Sequence, residues 1–100
     1  MSLYKRNGEK LTDLVVSRTF TKTNTTSFPA NSNTKSNISI TIPSGYKVLT
    51  AVRAWSDGAV LTGNLSGITS SNEANLWWTN ATNSASKPNK LSIEVLFIKQ

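Results

Sequence analysis

One hundred residues with a formal charge of +6 and neither histidine nor cysteine set narrow bounds. A chain of this length buries only about 60–65% of its unfolded surface, enough for one modest core and too little for a second domain. Without thiols there is no disulfide framework or thiolate metal site. Without imidazole the usual general base, the commonest metal ligand and every Ser-His pair are missing.

The remaining acids are Glu9, Asp13, Asp57, Glu73 and Glu94. Two carboxylates could in principle form a glycosidase pair. Glu94, however, alternates with apolar neighbours and the others sit in or beside turns, so the spacing brings no two together. The sequence therefore predicts no enzyme, no metal and no cofactor. Lys22, Lys35, Lys47, Arg53, Lys87, Lys90 and Lys99 are scattered singly. Dispersal of that kind solvates a surface and blunts strand edges rather than tracking a phosphate backbone, which argues against nucleic acid as a partner. No apolar run approaches the roughly 20 residues that span a bilayer, so no membrane partner is expected.

Taken in chain order, residues 1–11 read as a lead-in: either a linking arm or a small hairpin closed by Asn7-Gly8. They lack the apolar stretch of a signal peptide. Residues 12–100 then form a single domain. Its first strand falls within 12–22, with Leu14, Val16 and Phe20 on one side. Asn24 to Ser36 is polar and broken by Phe28-Pro29, the pattern of a loop or edge segment. Ile38, Ile40 and Ile42 alternate with Ser39 and Thr41, the mark of a half-buried strand over 37–42. Pro43-Ser44-Gly45 is a turn, and a strand follows over roughly 46–55.

Ser56-Asp57-Gly58 signals a hairpin. The strand after it is expected to be short, because Gly63-Asn64 and Ser66-Gly67 punctuate it. Residues 75–79 form a fifth strand, and Asn80 to Asn89 a turn-rich connection. Residues 91–98 form the last and most hydrophobic strand. With no sustained helical period, the fold class is all-β: a small antiparallel β-sandwich of six or seven strands, either plain or a jelly-roll variant.

Alternation also assigns faces. Leu91, Ile93, Val95 and Phe97 belong to the core, as do Tyr46, Val48, Val52 and Ala54. Lys47, Leu49, Ala51, Arg53 and Trp55 then point outward. Leu49 and Trp55, with Leu96 and Ile98 on the last strand, are apolar side chains on otherwise polar faces. They mark either the rim of an oligomer interface or positions covered by the chain's own loops. Of the adjacent pair Trp77-Trp78, the shared face with Leu76 sends Trp78 inward and leaves Trp77 outside with Asn75 and Thr79. An exposed indole flanked by amide and hydroxyl groups can stack on a pyranose while its neighbours bond the sugar hydroxyls. The alternative is that Trp77 packs in a subunit interface or beneath a loop. The sequons at Asn24, Asn37, Asn64 and Asn80 match the glycosylation pattern. In a chain where 38 of 100 residues are Ser, Thr or Asn chance supplies several such matches, and no glycosylation is read from them.

The stretch Ile42-Pro43-Ser44-Gly45-Tyr46, the nearby Trp55 and the closing Leu91-Ser92-Ile93-Glu94-Val95-Leu96-Phe97-Ile98 resemble the small C-terminal β-sandwich domains of tail, baseplate and other minor structural proteins in phages and prophages of Gram-positive bacteria. The likeness spans about residues 12–99. The Trp77-Trp78 pair and residues 4–11 lie outside it. It implies a non-enzymatic virion module, made in the bacterial cytoplasm and working in the virion or outside the cell. Its implied partners are copies of itself, with a trimer favoured by fibre symmetry, other virion proteins, and host cell-wall saccharide. A free-standing carbohydrate-binding module is the rival reading, and a basic β domain binding nucleic acid is the third.

Overall fold

The computed structural model describes residues 14–100. The lead-in expected at residues 1–11 lies outside them. The described chain is all-β, with seven strands: β1 (Val15–Thr23), β2 (Ser32–Lys35), β3 (Ile38–Ser39), β4 (Tyr46–Ser56), β5 (Leu61–Ile68), β6 (Glu73–Asn80) and β7 (Lys90–Lys99). Every pairing is antiparallel, in the order β1-β7-β4-β5-β6-β2, with β3 also on β6.

One seam makes this sheet a sandwich. β4 and β5 pair only at Ala54–Gly63 and Trp55–Thr62. Beyond that the strands splay, and the sheet folds into a layer of β1, β7 and β4 against a layer of β5, β6, β2 and β3. The fold brings β3 against β1 and β7. Between the layers lie Leu91, Ile93, Val95 and Phe97 from β7, with Leu76 and Trp78 from β6 and Ile38, Ile40, Phe28 and Leu61 around them, all buried. Phe20 of β1 meets Phe97 edge to face at 6.2 Å. The isoleucine alternation holds, with Ile42 also packed on the core. Only Ile38 and Ser39 join a ladder, however; Ile40 N still donates to Asn72 O at 2.9 Å, and the chain turns at Pro43.

Of the loop and edge readings of Asn24 to Ser36, the edge reading holds at Ser32–Lys35, a strand on the edge of the sheet. Its inward positions carry Ser32 and Thr34, so no apolar alternation betrays it. β5 is eight residues long rather than short. Its glycines sit inside the ladder, Gly67 beside a register shift between Leu65 and Gly67 and Gly63 where the layers close. On β4 the face assignment fails at Ala51 and Val52 and holds again from Arg53 to Trp55. Register shifts between Val48 and Thr50 and between Ala51 and Arg53 insert two extra residues, Leu49 and Val52. Each bulge reverses the alternation. Ala51 therefore packs on the core, while Val52 is 50% exposed.

Turns and loops are held by specific bonds. Gly45 takes φ 81°, and Tyr46 N donates to Pro43 O at 3.0 Å, a type II geometry that needs glycine third. After β4, Asp57–Ala59 makes a tight 3₁₀ turn in which Gly58 has φ 72°. Two asparagines do the work of loop pins. Asn24 donates to Thr26 O and Pro88 O and accepts from Thr26 N. Asn80, fully buried, donates to Phe28 O and Ser84 O and accepts from Thr82 N and Thr82 Oγ1. Two of the four sequon asparagines are thus internal structure.

A Cβ added at Gly63 would stand 2.6 Å from Ala54 Cβ and 2.9 Å from Trp78 Cζ3. Gly63→Ala is therefore expected to lower stability by about 1–3 kcal/mol through overpacking, read as an earlier midpoint in urea unfolding. An unchanged midpoint would show that the seam can open without loss.

Candidate functional site

Strand parity places Trp77 on the outer surface of the β5-β6-β2 layer, 46% exposed, and Trp78 in the core at 0%. Trp78 Nε1 donates to Ser36 O at 2.8 Å, so its one polar atom is satisfied in the interior. Asn75 and Thr79 share the outer face of β6 with Trp77, both partly exposed. The pairing registers supply neighbours that the sequence alone did not indicate. Trp77 lies opposite Lys35 on β2 and opposite Asn64 on β5. One step along, Thr79 lies between Asn33 and Thr62, and Thr79 Oγ1 donates to Asn33 Oδ1 at 2.7 Å. At that end of the β6–β2 ladder a shallow depression of about 300 Å³ opens, lined by Asn31, Ser32, Asn33, Thr79, Asn80 and Ala81. The indole is thus surrounded by amides, hydroxyls and one cation.

The outer surface of the other layer is organised differently. Leu96 faces Thr50 and the bulged Leu49, and Ile98 faces Lys47 on β4 and Val15 on β1. Leu49 is 49% exposed, while Leu96 and Ile98 are partly covered. With Val52 they make an apolar strip along one end of the sheet. Trp55 stands apart from it. The Arg53 guanidinium lies over its ring, 4.2 Å from the centroid. Arg53 Nε is 3.5 Å from Glu94 Oε1, and Ser17 Oγ donates to Glu94 Oε2 at 2.8 Å. Three of the four residues expected at an interface therefore converge, and the fourth is capped by a cation. Val52 was missed because a bulge has no signature in binary patterning.

A second cleft, of about 340 Å³, follows the splay of β4 from β5. Thr50, Val52, Arg53, Asn64 and Leu65 rim it, and Leu76 and Ile93 lie beneath. Among the described residues that line it Arg53 is the only ionisable one, and they include no acid–base pair. Glu94 is engaged on the outer face of β7, Glu73 starts β6 and Asp57 sits in the 3₁₀ turn. Among the described residues no group of three His, Cys, Asp or Glu could hold a metal ion. None of their helices is long and apolar enough to cross a membrane.

These features define an all-β sandwich with an aromatic-polar surface on one layer and an apolar strip on the other. No family model, curated protein or solved structure matches the chain.

The two tryptophans should separate cleanly on unfolding. Trp78→Ala is expected to cost about 3–5 kcal/mol, as for a large core aromatic, whereas Trp77→Ala should stay within about 1 kcal/mol of the parent. Paired urea titrations check this, and equal losses would contradict the register.

Proposed function

We propose that this chain is a non-enzymatic structural module of a phage or prophage virion, at the tail, baseplate or a fibre, that self-associates and contacts host cell-surface saccharide. The exposed Trp77 in its polar surround carries the binding half of this reading. Its ring is free to stack on the C–H face of a pyranose, and Asn75, Thr79, Asn64 and Asn33 are spaced around it to bond hydroxyls.

The virion half draws on the sequence resemblance. The two stretches that carry it, the turn at Ile42–Tyr46 and the last strand, are bonded neighbours: Tyr46 pairs with Lys99, and Gln100 N donates to Gly45 O at 2.9 Å. They form one structural unit. A free-standing carbohydrate-binding module would use the same Trp77 surface. Purified virions containing this chain favour the first assignment, and a glycoside hydrolase on the same polypeptide favours the second.

Binding is checked by co-sedimentation with Gram-positive cell walls. Trp77→Ala should weaken it by about 1–3 kcal/mol, and Trp77→Phe should recover part of the loss. Walls that retain the alanine variant as well as the parent would remove the saccharide reading and leave a purely structural role.

Self-association follows from the apolar strip of Leu49, Val52, Leu96 and Ile98, with a trimer favoured. Light scattering of the parent should exceed the 10.9 kDa monomer mass, and Leu49→Asp should return it to the monomer without unfolding, since that side chain is outward. A monomeric parent at micromolar concentration would refute the assembly.

A further inference from the structure

The register that exposes Trp77 also puts a cation beside it. Lys35, on the edge strand β2, is directly opposite Trp77 on the same outer face. Opposed residues of an antiparallel pair hold their Cβ atoms about 4.5–5.5 Å apart. Lys35 is exposed and, among the described residues, has no ion pair. It does not cover the indole as Arg53 covers Trp55. The stacking face of Trp77 and the ammonium beside it are both available.

We propose that Trp77 and Lys35 together form a subsite for an anionic pyranose, a sugar whose ring edge carries a carboxylate or a phosphate. The inference rests on the saccharide reading and narrows it to a chemical class. A pyranose stacked on the indole lies parallel to it, so an equatorial exocyclic substituent projects past the indole edge rather than up into solvent. The neighbouring strand's side chain stands at that edge. On the β2 side this is Lys35, whose flexible four-carbon stem carries a compact point charge able to reach an anion. On the β5 side it is Asn64, neutral and suited to hydroxyls.

The third side is set by Asn33. Its Oδ1 is occupied by Thr79 Oγ1, which leaves the Asn33 amide hydrogens as donors. A polysaccharide can continue from there into the depression of about 300 Å³ at Asn31, Asn33 and Thr79, a volume at the lower end of ordinary ligand sites. The arrangement is polar, with one-sided charge, and reads an acidic sugar in one orientation.

Lysines on edge strands also deter edge-to-edge pairing, so the test must isolate binding. Calorimetric titration of the full chain with a glucuronic-acid oligosaccharide, glucose 6-phosphate and a neutral glucose oligosaccharide does so. The parent should bind an anionic probe at least about fivefold tighter than the neutral one, the scale of a charge-assisted hydrogen bond at an exposed site. The stronger of the two acidic probes identifies the source of the charge.

Lys35→Gln should abolish that preference, bringing the affinity for the anionic probe down to that for the neutral sugar, and leave thermal stability unchanged. Trp77→Ala should weaken both classes. Lys47→Gln, on the outer face of the other layer, controls for diffuse attraction to a basic protein and should change nothing. A preference that survives Lys35→Gln, or falls equally with Lys47→Gln, overturns the subsite. Neutral sugar bound as tightly as acidic overturns the anionic class while sparing the saccharide reading, and no binding of any probe removes both.

Discussion

The contact of Gly63 with Ala54 and Trp78 is the constraint on which the rest of the structure depends. A flat seven-stranded sheet of this length would expose one apolar face to water. Folding it at the β4–β5 seam turns Leu91, Ile93, Val95 and Phe97 onto Leu76 and Trp78, and the burial of these side chains is the main favourable term. The fold requires the two layers to meet closely where β4 and β5 still share two residue pairs. Only a residue without a side chain fits there. Past the seam the strands part, and the two outer surfaces become independent of one another.

That independence organises the proposed function. One outer surface is apolar at one end because Leu49 lies outward there beside Leu96 and Ile98, and the second bulge on β4 turns Val52 outward as well. The other is polar around a single exposed ring. The contrast between Trp55 and Trp77 is instructive, since both lie on outer faces and only one is open. Arg53 is oriented by Glu94, which is itself held by Ser17, and the guanidinium covers the Trp55 indole. Among the described residues Trp77 has no such cover. Exposure of the Trp55 ring is therefore decided by Arg53, two residues away on the same strand, and not by the tryptophan itself.

The abundance of Ser, Thr and Asn has two physical roles. On outer faces they solvate the sheet, as with Thr21 Oγ1 and Ser92 Oγ at 2.9 Å. In the loops, Asn24 and Asn80 satisfy backbone groups that leave the ladders, and each uses both ends of its amide. Among the described residues no buried side-chain nitrogen or oxygen lacks a partner. A small core gains from this: irregular connections such as Asn80–Asn89 can pack tightly because their polar groups are answered.

Local pattern by itself determined the all-β class, the antiparallel sandwich, the core face of β7 and the inward and outward members of the tryptophan pair. These follow from a period of two, which is a property of the extended backbone and needs no partner strand. The turn at Gly45 was legible for a similar reason, because positive φ and a missing proline donor are local. Tertiary structure alone decided the rest. Ser32–Lys35 is a strand only because β6 lies beside it, and nothing apolar marks it. Ala51 and Val52 exchange faces because bulges on β4 are set by the register against β7. Lys35, Asn64 and Asn33 surround Trp77 through pairings between segments more than ten residues apart. Side-chain periodicity reports which face a residue occupies; which residues share that face across strands is fixed by long-range hydrogen bonding and by the closing of the core.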